Sequence, residues 1–246
     1  MPALWGDPAP NHFDARIPWW IKALLVIAAA ALAYFFLDAR MAAWAYEHPI
    51  AKLLAYPIAA GMPANKPGGG DLGRELMFLE QFGQGVCSVL AVVSVALLDP
   101  AGRRRALALA IGCLLNLAVT HLIKDLTGRS RPFMAELGAD GHWEWHGLTT
   151  ASRWGSFPSA HTTAAFALAS GLAWFYPRAR ALFICLALIT GTQRVLHDAH
   201  YLSDAIAGMG IGVCVMRSSL AGRFAGRLIA AAPPGVRAWW MHEAVK

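Results

Sequence analysis

The sequence predicts an all-α fold: a polytopic membrane protein with six transmembrane helices in one bundle and both termini cytoplasmic. Three observations lead there. Of 246 residues, 57% are hydrophobic and only 15% charged, whereas a soluble domain is roughly 45–50% apolar and about 25% charged. The apolar residues gather into six long runs, and a bilayer core of about 30 Å needs about 20 apolar residues per helix. The basic residues concentrate in alternate loops, as the positive-inside rule requires.

The runs span about Ile17–Leu37, Leu76–Leu98, Ala106–Ile123, Ala160–Tyr176, Ala181–Gln193 and His200–Leu220. The fifth reaches spanning length only if its helix continues through Arg194 and Val195. The second-to-third loop, "DPAGRRR", carries Arg103, Arg104 and Arg105, and the fourth-to-fifth loop carries Arg178 and Arg180. The tail carries Arg217, Arg223, Arg227 and Arg237. In a six-span chain these regions share one side, which is therefore cytoplasmic. The other side receives a long loop at Asp38–Glu75, the stretch Lys124–Ser159 and the short link Arg194–His200. Within the long loop, "MAAWAYEHPIAKLLAYPIAA" has the makings of an interfacial helix, interrupted by Pro49. The whole chain, 1–246, is predicted to be one membrane-embedded domain in a bacterial cytoplasmic (inner) membrane.

The net charge of +6 does not point to nucleic acid, because the cations sit in short loops rather than along a groove. Cys87, Cys113, Cys185 and Cys214 all lie inside apolar runs without a CxxC pair, which favours buried thiols over disulfides or metal ligation. Asp7 and Asp14 in place of a basic start argue against a cleaved signal peptide.

Three polar clusters stand at the ends of apolar runs, on the non-cytoplasmic side. Lys124, Arg129 and Arg131 follow the third run, Ser159 and His161 open the fourth, and Arg194, His200 and Asp204 join the fifth to the sixth. Arginine pairs bidentately with phosphate oxygens and lysine adds a point charge. Cations converging near lipid are costly without an anionic partner. Ser159 and the N–H groups that follow it can face an oxyanion at a helix start. His200 and Asp204, four residues apart, would share a helix face, so a carboxylate bonded to one ring nitrogen would free the other to attack. His161 is then the general acid for the leaving alkoxide. No metal or cofactor is expected, since the cations neutralise the phosphoryl charge.

"KDLTGRSRP" at 124–132, "PSAH" at 158–161 and "QRVLHDAHYLSD" at 193–204 resemble, in order, the three motifs of the type 2 phosphatidic acid phosphatase family, in its six-helix integral membrane branch. The resemblance implies a metal-independent lipid phosphate phosphatase that hydrolyses a monoester or diphosphate through a phosphohistidine at the outer face of the membrane. It implies phosphate binding by Lys124, Arg131 and Arg194, assistance by Ser159, acid catalysis by His161, nucleophilic attack by His200 and orientation by Asp204. Ala160 stands where the family has glycine, its N–H retained for the phosphate, and Gln193 stands where the family has serine.

Other residues admit blander roles. Arg129 is a candidate for phosphate or for a lipid headgroup, and His121, one turn before Lys124, for the edge of the site. His197 and Asp198 suit loop or supporting roles. Glu80, Gln81 and Gln84 are candidate cavity residues, and Gly83 and Gly85 candidate points of close helix approach. Asn116 is expected to pack between helices. Trp143, Trp145 and Trp154 suit an interfacial aromatic belt. The sequence leaves open which lipid is the substrate. It also leaves open two alternatives: phosphotransfer to another lipid, and non-catalytic binding or transport of a lipid phosphate. The expected partners are the bilayer and the lipid substrate, with no obligate protein partner.

Overall fold

The computed structural model describes residues 18–48, 78–99, 102–132, 145–150, 154–220 and 234–235. Among these the regular structure is entirely helical, apart from one isolated β-bridge between Arg129 and Trp145. The helices are α1 Trp19–Phe36, α2 Asp38–Glu47, α3 Gly85–Leu98, α4 Gly102–Thr127, α5 Ala160–Phe175, α6 Arg180–Leu196 and α7 Leu202–Leu220.

Each predicted run carries a helix, with instructive differences at the ends. α6 does continue through Arg194 and Val195. The second run is not continuous: a 3₁₀ turn at Gln81–Gly83 precedes α3, and Gln84 takes an extended conformation (ψ 151°) between them. The sixth helix begins at Leu202, two residues later than His200. The stretch predicted as a loop from Asp38 begins with a helix, because α1 bends by 60° into α2. α2 stops at Glu47, just before Pro49, as the restriction on residues preceding proline dictates. The rest of the proposed interfacial segment, Trp143 and the tail arginines beyond Arg217 lie outside the described residues.

Two of the described helices, Gly102–Thr127 and Pro177–Leu196 (α6 with its leading 3₁₀ turn), are long and apolar enough to cross a membrane. The bent α1–α2 pair makes a third if it counts as one span. Outward faces are apolar: Phe35, Val86 and Leu97 are 73%, 70% and 77% exposed. Such a surface would be an association hazard in water but is at home among acyl chains.

α5 is the central helix. It packs against α7, α6 and α4, while α3 lies on α4 and α1 on α7. Leu109, Leu168, Leu172 and Met216 form the middle of the core. α5 and α7 approach through small residues: a Cβ on Gly208 would lie 2.9 Å from the Ser159 carbonyl oxygen, and one on Gly212 would lie 2.5 Å from that of Thr163. Small residues at this spacing let helix backbones meet where no hydrophobic effect drives them together. Gly212→Val is therefore expected to cost about 1–3 kcal/mol, the range for overpacking. A lowered unfolding midpoint in detergent checks this. Gly85→Ala is the control, because no atom lies within 4 Å of its added Cβ. Gly83 is thus a point of close approach, its Cβ meeting the His161 carbonyl oxygen at 2.5 Å, and Gly85 is not.

At one end of the bundle, Arg105 pairs with Asp99 at 2.7 Å and the Tyr176 hydroxyl donates to the same carboxylate at 2.6 Å. The α3–α4 and α5–α6 links, which carry the basic loops, therefore meet. The polar clusters gather at the opposite ends of α4, α5, α6 and α7.

Candidate active site

α4 delivers Lys124 in its last turn, buried, with its ammonium donating to the Gly155 carbonyl. Seven residues on, Arg131 reaches the Ala199 carbonyl at 3.4 Å. The last turn of α6 presents Arg194, whose Nη1 pairs with the Glu80 carboxylate. Lys124, Arg131 and Arg194 act on one another electrostatically, so the cations of two separate motifs lie near one another.

Ser159 caps α5. Its oxygen accepts from the Thr162 N–H at 3.4 Å and from the Thr162 hydroxyl at 2.9 Å, and it is fully buried. The first N–H groups of α5, at Ala160 and His161, have no partner within the helix, as at any helix start. His161 is half-buried just inside that start. Its Nε2 lies 2.7 Å from the Gln84 side-chain nitrogen and 3.9 Å from Glu80 Oε1.

His200 is only 2% exposed. Its Nδ1–H donates to the Ser156 carbonyl at 2.8 Å, while the nearer Asp204 oxygen is 3.7 Å away, beyond hydrogen-bond reach. A carbonyl can only accept, so the proton is on Nδ1 and the Nε2 lone pair is free. The expected bond from Asp204 to His200 is replaced by a carbonyl. The pair straddles the start of α7 rather than lying on one helix face, and Asp204 is drawn elsewhere. Its Oδ1 pairs with Arg129, and its Oδ2 accepts from the Ser156 hydroxyl at 2.6 Å and the Tyr201 N–H at 3.0 Å. Asp204 is thus linked to His200 at one remove, through Ser156. Burial first of all, with help from Lys124 and Arg131 and against Asp204, pushes the His200 imidazole down to about 3. The ring is therefore neutral at physiological pH, the form that can attack.

Arg129 is fully buried. It bridges Asp38 (2.8 Å) and Asp204 and donates to the Ser203 hydroxyl at 2.8 Å. Tyr34, Trp145 and Tyr201 rings stack around it, at 5.1, 5.4 and 4.1 Å from the guanidinium carbon. Trp145 is thus part of an aromatic box, and Trp154 stacks on His146. His121 faces outward from α4 and does not join the cluster. His197 Nδ1 is 3.6 Å from Glu80 Oε2, and burial pushes the Asp198 carboxyl up to about 7. Asn116 is buried and donates to the Gly112 carbonyl at 2.9 Å.

Three contributors went unrecognised or under-weighted in the sequence. Asp38, placed in a loop by its position, is buried at the α1–α2 bend, where it also takes the Ser203 N–H at 2.9 Å. Ser156 supplies the carbonyl under His200. Glu80, one of several cavity candidates, is the carboxylate beside Arg194, His161 and His197.

A cavity of about 530 Å³ runs from Ala160, His161 and Gln84 down between α3, α4 and α5, along Val89, Val93 and Leu117. A second, almost wholly apolar cleft of about 590 Å³ lies between α1, α4 and α7.

Comparison with known proteins agrees with this arrangement. Lipid A 1-phosphatases of Rhizobium johnstonii and Rhizobium etli are 36% and 35% identical to it over 94 residues, 38% of this chain. The match covers 38% and 40% of those proteins, so the chain spans about two fifths of the length of the curated relatives it matches. The crystal structure of a transmembrane PAP2 type phosphatidylglycerolphosphate phosphatase from Bacillus subtilis shares the fold at a TM-score of 0.51. It is 18% identical, with 85% of this chain and 96% of that one covered. Residues 105–227, half of the chain, match the profile of the PAP2 superfamily and contain all three clusters. With its Lys–Arg, Ser–His and Arg–His–Asp groups brought to one end of an all-helical bundle, the chain belongs to the PAP2 superfamily.

Proposed function

We propose that the protein is a lipid phosphate phosphatase working through a phosphohistidine. The observation that carries this reading is the His200 ring with its Nδ1–H held by the Ser156 carbonyl, which leaves Nε2 free to attack. In the first step Nε2 attacks phosphorus and the bond to the lipid oxygen breaks. His161, protonated once the anionic phosphate has entered among the cations, gives that oxygen its proton, and Lys124, Arg131 and Arg194 take up the phosphoryl charge. In the second, His161 accepts a proton from water, whose oxygen displaces Nε2 and releases inorganic phosphate. Ser159 serves by capping α5, so that the Ala160 and His161 N–H groups face the phosphate. Asp204 keeps Ser156, and hence His200, in place.

The single domain would span the membrane six times, with the basic α3–α4 and α5–α6 links and both termini in the cytoplasm and the active site on the periplasmic side. The α3–α4–α5 cavity offers an acyl chain a path to His161 from within the bilayer. The protein's likeness to lipid A 1-phosphatases makes the 1-phosphate of lipid A the first substrate to try.

A phosphate-release panel in detergent tests the reading, using lipid A phosphate, phosphatidic acid, phosphatidylglycerol phosphate and a polyprenyl diphosphate, each with excess chelator. At least one is expected to release phosphate at an undiminished rate in chelator. Loss of release with chelator, restored by one metal, would overturn the metal-free step. Labelled lipid product in place of free phosphate would make the enzyme a phosphotransferase. Arg131→Lys is expected to lower kcat/KM about 10- to 100-fold, because the planar fork is lost and a charge-assisted hydrogen bond is worth ~1.5–3 kcal/mol. An unchanged kcat/KM would remove Arg131 from the phosphate site.

A further inference from the structure

We propose that Glu80 is a positioning residue that aims Arg194 at the phosphate. The inference rests on the phosphatase reading and adds a residue upstream of the matched region. Glu80 sits just before the 3₁₀ turn at Gln81–Gly83, which is pressed onto the start of α5 where Gly83 meets the His161 carbonyl oxygen. The Thr190 side chain of α6 lies against the same turn: a Cβ on Gly83 would meet its Cγ2 at 2.8 Å, and its hydroxyl, which donates to the Leu186 carbonyl at 3.0 Å, is 3.4 Å from the Leu79 carbonyl oxygen. The Glu80 side chain is therefore held between the helices that carry His161 and Arg194, and the residue is only 7% exposed.

Its contacts divide the guanidinium in two. Oε1 takes Nη1 of Arg194, whereas Nε of Arg194 is buried without a hydrogen-bond partner. An arginine gripped through one terminal nitrogen, with its Nε–H unsatisfied, is set to receive an anion along the edge that Nε shares with Nη2. A buried unsatisfied donor is costly, and a phosphoryl oxygen relieves that cost. Arginine has a long side chain with about 2 kcal/mol of rotamer entropy. Fixing it before the ligand arrives lowers the entropic cost of binding. Glu80 Oε2 lies 3.6 Å from His197 Nδ1 and Oε1 lies 3.9 Å from His161 Nε2, so neighbouring groups close round the carboxylate and confine it. Glu80 itself does not touch phosphate; it acts through Arg194.

A double-mutant cycle in detergent tests this, with the Kd for inorganic phosphate as the readout. Glu80→Gln keeps shape and volume but removes the charge, and is expected to weaken phosphate binding about tenfold. In an Arg194→Ala background the same change is expected to alter Kd by less than about twofold, because the residue it acts through is gone. Glu80→Asp, which retains the charge, is expected to recover part of the affinity. It also replaces Glu80→Gln in the cycle if that variant does not accumulate in folded form. A purely structural role would give equal losses in both backgrounds, and that result overturns the inference alone. A wild-type protein that binds no phosphate overturns it together with the phosphatase reading.

Discussion

Replacing His200 by alanine is expected to lower phosphate release by about 10⁴-fold or more, the scale on which losing a nucleophile acts. The fold should persist. The ring contributes one hydrogen bond, to the Ser156 carbonyl, worth ~0.5–1.5 kcal/mol. Phosphate binding should survive as well, since Lys124, Arg131 and Arg194 remain. A variant that binds phosphate but does not turn over lipid phosphate is therefore the predicted phenotype. It separates catalysis from the transport or binding alternative, under which His200→Ala would keep its function. Retained turnover would remove His200 from the chemistry.

The second large effect is on stability. Arg129→Met is expected to cost about 3–5 kcal/mol, the range for removing one partner from a buried ion pair. Arg129 and both its carboxylate partners, Asp38 and Asp204, are fully buried. Without the guanidinium, two carboxylates would face one another in a site walled by Tyr34, Trp145 and Tyr201. Adding Asp38→Asn to Arg129→Met should recover part of the loss, because contacting residues are not additive. Chemical unfolding in detergent reads both effects. An unchanged midpoint in Arg129→Met would show that the cluster does not hold the α1–α2 bend to the core. Activity should fall too, since Asp204 would no longer be held where it secures Ser156.

The sequence exposed those parts of the site whose residues lie in short blocks at helix ends. Lys124 with Arg131, Ser159 with His161, and Arg194 with His200 and Asp204 each fall within one motif, and the alternation of helices brings the blocks to one end. What it hid are contacts between distant residues. Asp38 meets Arg129 across 91 positions and Ser203 across 165, and Glu80 meets Arg194 across 114. No local spacing signals such pairs. The His200–Asp204 contact is looser than the spacing suggests, at 3.7 Å, for a related reason. An i,i+4 spacing places two side chains on one face only inside a helix, and α7 starts between them. The break before α3 did leave a trace in Gly83 and Gly85, flanking the extended Gln84. Run length alone could not locate it, because apolar residues lie on both sides of the break.

The mechanism makes one stereochemical demand that needs no intermediate to accumulate. Attack by His200 and then by water is two in-line displacements, and each inverts phosphorus. A lipid thiophosphate monoester made chiral with oxygen isotopes, hydrolysed in isotopically labelled water, reports the sum. The account predicts net retention of configuration at phosphorus. Net inversion would mean that water attacks directly, and would contradict the phosphohistidine.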